Sequence, residues 1–297
     1  MSDTREHMRQ KIESTEAFGT VVHTMKALAA SRIGQYEDSV QALEQYYRTI
    51  RLGLAVCLSE EAPQTFTLQR PRPEEATGAI IFGSDQGLVG DFNEALLEFA
   101  QTRPARLPGP KKLWVVGERI RARLAEAGWP VEARYAVPNT VDAITPLIGQ
   151  LLVESTGGAL YLFYNRPGPE ASYEPTARRM LPLDEHWLRD IPEPEWPTAQ
   201  LPDVLGDREQ TLGSLIREYL FATLFQACAE SMTAENASRL AAMQRAEQNI
   251  AEMLDDLTRT YHRVRQSAID EELFDILAGF EALAQEDAGK KTGMANR

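Results

Sequence analysis

Two long stretches without proline, one near each end of the chain, constrain the fold most strongly. The first runs from about Thr4 to about Leu58, and the second from about Glu209 to Gln285. Proline interrupts helices because it removes a backbone donor and clashes with the preceding turn. Uninterrupted helices over these stretches would be roughly 80 Å and 110 Å long, so neither fits inside one small domain.

Apolar and small residues in both stretches follow an alternating three-four spacing, which Lys26 interrupts. In the first stretch they are Ile12, Thr15, Gly19, Val22, Ala29, Ile33, Tyr36, Val40, Leu43, Tyr47, Ile50, Leu54 and Cys57. In the second the seam positions are Leu240, Met243, Glu247, Ile250, Leu254, Leu257, Tyr261, Val264 and Ala268, of which only Glu247 is charged. A repeat of 3.5 residues keeps one seam facing a partner helix. Because the chain leaves and re-enters the same middle region, the two stretches are predicted to pair as a long antiparallel coiled coil.

The middle region alternates short apolar strands with helices of about ten residues. Strands are predicted at 78–84, 112–117, 131–137, 159–165 and, at an edge, 173–183; helices are predicted at 88–101, 118–127 and 141–154. This alternation is typical of βαβ units on a largely parallel sheet. The predicted fold class is therefore a Rossmann-like α/β domain combined with the coiled coil.

Proline-rich segments separate these parts. Prolines cluster at 60–77, and again with two tryptophans at 184–207, so both segments are predicted as linkers. The expected division is an N-terminal coiled-coil helix at 1–60, an α/β domain at 76–205, a C-terminal coiled-coil helix at 208–286 and a tail at 287–297.

Composition excludes several functional classes. The net charge is −13, and such a surface repels nucleic acid and anionic lipid. The N-terminus lacks the features of a signal peptide, and no apolar run is long enough to span a bilayer, so membrane association is expected only through a partner. Cys57 and Cys228 lie in helical patterns and are expected to be core residues. No metal and no cofactor is predicted.

The glycine-rich string GSDQGLVGDFN at 83–93 could suggest a phosphate loop, but it lacks both the Walker ending and the dinucleotide spacing. The alternative is a tight turn in which Asp85 or Asp91 caps the following helix. Ser84 and Asp85 could also be combined with a histidine as a hydrolase, but no nucleophile elbow is present, and His23 and His262 lie in the long helices. The string therefore favours a structural turn.

Three strings carry a family resemblance. TMKALAASR at 24–32, GSDQGLVGDFN at 83–93 and the whole of 214–279, which includes AENASRLAAM and HRVRQSAIDEEL, occur in this order on the predicted helix–α/β–helix plan. Together they resemble the gamma subunit of the rotary F-type ATP synthase. The region from about 105 to 210 matches that family in layout only.

The resemblance implies a subunit without a catalytic site of its own, in a complex for ion-driven ATP synthesis or ATP hydrolysis. Its paired helices would sit inside a ring of alpha and beta subunits, and its α/β domain would stand on the membrane rotor c-ring beside the epsilon subunit. It would be a peripheral protein at the cytoplasmic face of the cell membrane. By carry-over, six residues would face the ring: Met25, Lys26, Arg32, Arg265, Gln266 and Asp270.

The chain departs from the family at several points. It is acidic where relatives are often basic, Asp270 stands where a hydroxyl residue is common, and 193–204 differs from the usual foot string. Two other functions remain open from the residues alone. One is a free nucleotide-binding α/β enzyme with a coiled-coil arm, and the other is a coiled-coil scaffold protein.

Overall fold

The structure is a computed structural model that describes residues 2–59, 77–102, 111–155, 158–169, 172–183 and 204–294. Most of the two predicted linkers, at 60–77 and 184–207, lies outside these residues. The described chain forms two compact units. The helical unit comprises Met1–Met25 with Met243–Arg297, and the mixed unit comprises Lys26–Ala242.

The secondary structure follows the predicted order. The helices are α1 (Ser2–Ser59), α2 (Phe92–Thr102), α3 (Glu118–Glu126), α4 (Ile144–Glu154) and α5 (Arg208–Met294). The strands are β1 (Thr77–Phe82), β2 (Lys111–Val116), β3 (Val131–Tyr135), β4 (Leu160–Pro167) and β5 (Tyr173–Leu181). Three helix boundaries were wrong by three residues or more. Helix α4 begins at Ile144 and not at 141, and α5 continues to Met294, past Gln285. Helix α2 begins at Phe92 and not at 88, because Leu88 and Gly90 have φ values of 62° and 61° that no right-handed helix accommodates.

The predicted seam of each long helix is the face that is removed from solvent. Every seam residue on α1 and on α5 is buried or half-buried, including Lys26 at the interruption. In the helical unit, the positions outside this seam are mostly exposed. A sequence pattern of period 3.5 therefore identified the packing face of both helices residue by residue.

In the helical unit α1 and α5 pack side by side in opposite directions. A Cβ atom on Gly19 would lie 3.5 Å from Cγ2 of Ile250, and four residues further along α1 His23 Nδ1 lies 3.3 Å from Glu247 Oε1. Residue numbers thus rise on one helix as they fall on the other. The predicted antiparallel pairing is confirmed, and a Cβ atom on Gly19 would make ordinary van der Waals contact with Ile250.

In the mixed unit a five-stranded sheet has the order β3-β2-β1-β4-β5. The first four strands are parallel, and β5 pairs antiparallel with β4 at the edge. Parallel neighbours require crossover helices, which α2, α3 and α4 supply. The Rossmann-like, largely parallel sheet is confirmed.

The two faces of the sheet are covered by different helices. One face packs on α2 and α3, through Ala79, Ile81, Leu113, Val115 and Phe163 against Leu96, Ala100, Ile120 and Leu124. The other packs on α4 and on both long helices, through Ile80, Phe82, Trp114, Val116, Leu160, Leu162 and Tyr164 against Tyr36, Ala227, Cys228 and Met232, among others. The long helices are therefore part of the core of the α/β body.

A close backbone approach at Gly117 connects β2 to α3. Gly117 has a φ of 115°, and a Cβ atom there would lie 2.8 Å from the carbonyl oxygen of Ser84. Only glycine tolerates both this backbone conformation and this contact.

We expect Gly117→Ala to lower the free energy of unfolding by about 2 kcal/mol, because the added methyl strains the backbone and clashes with Ser84. Urea titration of the full chain measures this. Gly149→Ala on α4 is the matched control, since no atom lies within 4 Å of its Cβ position. The control should be neutral or slightly stabilising, and an equal loss in both variants would contradict the argument.

A second prediction concerns the pairing in the helical unit. Cysteines placed by Gly19→Cys and Ile250→Cys should form a disulfide within one chain, because their Cβ atoms would face each other at close range. Gel mobility with and without reductant reports the bond. The control pairs Gly19→Cys with Met253→Cys, since Met253 is exposed and points away from the seam. A disulfide-linked dimer in place of the internal bond would refute the intramolecular pairing.

Candidate functional site

A segment of α5 in the mixed unit, residues 222–239, is enclosed by the rest of the fold; we call it the enclosed segment. Most of its positions are buried, so neighbours cover it on almost every side. Many of these residues are small: Ala222, Thr223, Ala227, Cys228, Ala229, Ser231, Thr233, Ala234 and Ser238. Small side chains let neighbouring backbones approach the helix closely. The sequence string AENASRLAAM, residues 234–243, therefore begins inside the enclosed segment.

The loop after β1, residues 83–91, lies directly against the enclosed segment; we call it the β1–α2 loop. Ser238 Oγ donates to the carbonyl oxygen of Val89 at 2.5 Å, and Ser231 Oγ donates to that of Phe82 at 3.4 Å. Val89 also packs on Ala234, together with Phe92. Two of the strings that carried the family resemblance thus contact each other, and together they fasten the sheet to α5.

Inside the β1–α2 loop, side chains bind the backbone N–H groups. Asn93 Oδ1 accepts from the Ser84 N–H at 3.0 Å, and the two carboxylate oxygens of Asp85 accept from the N–H groups of Glu118 and Val137, each at 2.8 Å. Asp85 therefore caps α3, not α2 as expected from the sequence. Asp85 thus links the β1–α2 loop to the start of α3 and to the residue after β3, which supports the structural-turn interpretation.

The sheet is also fastened to α1. The hydroxyl of Tyr36 donates to the carbonyl oxygen of Pro138 at 3.0 Å, and burial raises the pKa of Tyr36 to about 12. This tyrosine lies in the same apolar cluster as the sheet residues. A deprotonated hydroxyl could not donate, so the raised pKa extends this contact to a higher pH than an ordinary tyrosine would allow.

One arginine on the edge strand contacts both long helices. Arg178 on β5 donates to the hydroxyl of Tyr47 on α1 and to that of Tyr219 on α5, both at 3.1 Å. The two rings pack 5.4 Å apart, and Tyr47 also contacts Thr223. Burial raises the pKa of Tyr47, with Arg178 opposing the rise. This cluster ties three elements together, and no sequence signal had singled out Arg178.

The six predicted partner-contact residues divide between the two units. Met25 is half-buried in the helical unit, where Arg265, Gln266 and Asp270 are exposed on α5. From the pairing of Gly19 with Ile250, Arg265 lies opposite the start of α1, roughly 30 Å along the axis from Met25. The residues of this unit therefore occupy two separate levels.

Lys26 and Arg32 belong to the mixed unit, and both are half-buried. The guanidinium of Arg32 lies close enough to the buried carboxyl of Glu235 to oppose the rise in its pKa. Arg32 thus faces at least partly toward the interior of the mixed unit. Its predicted contact with a surrounding ring stays a prediction.

An apolar surface on α5 was missed by the sequence reasoning. Five side chains in 269–277 are between 53% and 68% exposed: Ile269, Leu273, Phe274, Ile276 and Leu277. By the antiparallel pairing in the helical unit, this stretch extends past Ser2, where α1 begins, and we call it the overhang. The signal was present as the apolar residues of IDEELFDIL, which continue after the three-four seam ends. Large apolar side chains left exposed together are typical of a binding surface.

Within the described residues, no group of three or more His, Cys, Asp or Glu side chains is placed to hold a metal ion. None of the described helices combines the length and the apolar character needed to cross a bilayer. What the arrangement offers is mechanical: an α/β body fixed to two long helices, and exposed side chains near one end of α5.

Comparison with known proteins gives a consistent result. A sequence model of the family described as ATP synthase matches residues 4–283. The ATP synthase gamma chain of Brevibacillus brevis is 26% identical over 286 residues, covering 93% of this chain and 98% of that protein. That of a Polaromonas species is 28% identical over 287 residues, with the same coverage.

Solved structures share the fold. The rotor of the Euglena gracilis mitochondrial ATP synthase contains a chain with a TM-score of 0.62 at 15% identity, covering 91% of this chain and all of that one. A chain of the same organism's OSCP/F1/c-ring assembly gives a TM-score of 0.66 at 15% identity, covering 95% of both chains. The resemblance read from the three sequence strings is thereby confirmed, and the chain belongs to the ATP synthase family, among its gamma chains.

Proposed function

We propose that this chain is the central stalk subunit of an ATP synthase, which transmits torque between the membrane rotor ring and the catalytic ring of alpha and beta subunits. The gamma chains it matches over nearly their whole length support this, as do the rotor and F1/c-ring assemblies whose chains share its fold. Torque would pass in either direction, during ion-driven ATP synthesis or during ATP hydrolysis.

The observation that carries the proposal is the junction between the α/β body and the long helices. One whole face of the sheet is buried on α1, α4 and α5, and polar contacts at Ser238, Tyr36 and Arg178 add to the apolar packing. A shaft delivers torque only if the part that is turned cannot slip on the part that does the turning. A well-packed core that includes the shaft helices meets this requirement.

The ring contacts are proposed at the predicted residues Met25, Lys26, Arg32, Arg265, Gln266 and Asp270, with the overhang as an additional apolar contact. A rotating subunit shifts the conformations of surrounding catalytic sites only if it contacts each state differently. Exposed polar groups on one helix beside an exposed apolar surface make the shaft asymmetric. This asymmetry supports the assignment of the α5 end as the part that contacts the ring.

The remaining features of the proposal follow from this role. The chain itself performs no catalysis, binds no cofactor, and lies at the cytoplasmic face of the cell membrane, which it reaches only through the c-ring and epsilon subunit. The proposed functional division is 1–60 and 208–286 as shaft, 76–205 as body and 287–297 as tail. The β1–α2 loop holds the acidic side chain of Asp85, bound to the N–H groups of Glu118 and Val137, and an acidic side chain there weighs against the alternative of a nucleotide-binding enzyme.

Arg265→Ala and Gln266→Ala should each reduce ATP hydrolysis by the reconstituted complex about tenfold, because an interfacial hydrogen bond to a charged group contributes roughly 1.5–3 kcal/mol. Both side chains are exposed, so the melting temperature of the isolated chain should not change. Arg263→Ala is the control, since Arg263 is an exposed neighbour outside the predicted set. Wild-type activity in both variants would remove these residues from the interface.

The double variant Phe274→Ser with Leu277→Ser should weaken binding of the chain to alpha and beta subunits roughly a hundredfold, because each buried apolar side chain contributes about 1.5–3 kcal/mol. Surface-immobilised chain and purified subunits allow the dissociation constant to be measured. Leu205→Ser serves as the control, because Leu205 is 91% exposed in the mixed unit, outside the overhang. Unchanged binding by the double variant would mean that the overhang is not a contact surface.

A further inference from the structure

A buried ion pair lies within the enclosed segment of α5. Arg239 Nη2 donates to Glu235 Oε1 at 2.5 Å, and the two side chains are only 8% and 5% exposed. Other ion pairs in the described part of the chain, such as Arg9–Glu13 and Arg166–Glu174, join side chains that are exposed or half-exposed. A charged pair in a protein interior costs desolvation free energy that its mutual attraction often fails to recover. The burial of this ion pair therefore needs an explanation other than a gain in folding stability.

The surroundings of the pair supply only some of the hydrogen bonds that its polar atoms can form. Among the described residues, no hydrogen-bond partner reaches Glu235 Oε2, Arg239 Nε or the neighbouring Asn236 Oδ1, all of which are buried. Burial raises the pKa of Glu235, while Arg239 and Arg32 oppose the rise and Asp85 adds to it. The charged groups that face Glu235 thus come from its own helix, from α1 and from the β1–α2 loop.

Apart from the hydrogen bonds of Ser231 and Ser238 and the larger buried side chains of Leu224 and Met232, few features of the enclosed segment distinguish one register from the next. Its packing surface is built largely from alanine, serine, threonine and cysteine, and neighbouring small residues on a helix are nearly interchangeable in shape. In the runs 222–223, 227–229, 233–234 and 237–238, a shift of α5 by one residue, about 1.5 Å with a rotation of about 100°, would replace one small side chain by another. At these positions the packing itself discriminates weakly against a shifted register.

The ion pair distinguishes the native register of α5 from the shifted ones. A one-residue shift in one direction would place Glu235 at the site of Ala234, which packs on Val89 and Phe92, and Arg239 at the site of Ser238 beside Val89. Charged groups moved into apolar surroundings are strongly unfavourable. A single buried polar residue fixes the register of coiled coils by the same physics.

We propose that Glu235 and Arg239 are positioning residues that fix the axial and rotational register of α5 against the α/β body. Their consequence for torque rests on the proposed shaft function, whereas the register itself does not. The pair is retained because the wrong registers are penalised, although a matched apolar pair would pack as stably.

The test compares two double variants of the full chain. E235L/R239M replaces the pair by apolar side chains of similar size, and E235Q/R239Q keeps polar groups without charge. Spin labels at Gln101→Cys on α2 and Ser214→Cys on α5, both exposed in the mixed unit, report the distance between body and helix. Cys57 and Cys228 are buried, so labelling is directed to the introduced thiols.

The expected result is a single narrow distance in the wild-type background, and a broadened or two-peaked distribution in E235L/R239M without a loss of melting temperature. E235Q/R239Q is expected to broaden the distribution as well, and it provides the same test if the apolar variant does not fold. D255N/R259Q is the matched control, because Asp255 and Arg259 form an ion pair with the same spacing on α5 but are exposed. A distribution as narrow as that of the wild type in a folded E235L/R239M or E235Q/R239Q variant overturns the proposal.

The coupling of ATP hydrolysis to ion pumping provides a second measurement in the reconstituted complex. E235L/R239M is expected to retain ATP hydrolysis while protons pumped per ATP fall at least twofold. If the wild-type chain itself supports no ATP-driven pumping, the shaft function fails, and the distance measurement still decides the register. If pumping is normal in a variant whose distance distribution is broadened, the register role stands and its link to torque is refuted.

Discussion

The burial of one sheet face against the two long helices is the interaction on which the rest of the structure depends. In an ordinary doubly wound fold, crossover helices cover both faces of the sheet. Here α4 covers only part of one face, and Tyr36 of α1 and Cys228 and Met232 of α5 complete that core. The body cannot separate from the helices without exposing its own interior. Rigidity of the junction is thus a consequence of folding itself.

This dependence explains the character of the two signature strings that meet at the junction. The β1–α2 loop brings Val89 close to α5, and the small side chains of Ala234 and Ser238 on the enclosed segment leave room for Val89 and Phe92. Ser238 then donates a hydrogen bond to the backbone carbonyl of Val89, a group that the loop side chains do not supply. Asp85 gives the loop its shape by binding two distant N–H groups.

Most of the fold could be predicted from the sequence because its helices and strands follow from the local spacing of apolar residues. The seam of α1 and α5, the four parallel strands and the edge strand all follow from the spacing of apolar residues. Contacts between distant positions could not be predicted in this way. Asp85 caps α3 across 33 residues, and Arg178 reaches Tyr47 across 131, where no spacing rule applies. The overhang was missed because an exposed apolar stretch has the same composition as a buried one.

The unequal lengths of the two long helices have a thermodynamic consequence. Helix α1 begins at Ser2, whereas α5 continues to Met294, so its last turns have no neighbouring helix within the described chain. An isolated helical end is held by its own propensity alone, and such ends fray in water. Within the described chain, these turns are therefore stabilised less than the paired part of α5. A partner that covers the overhang would stabilise them further.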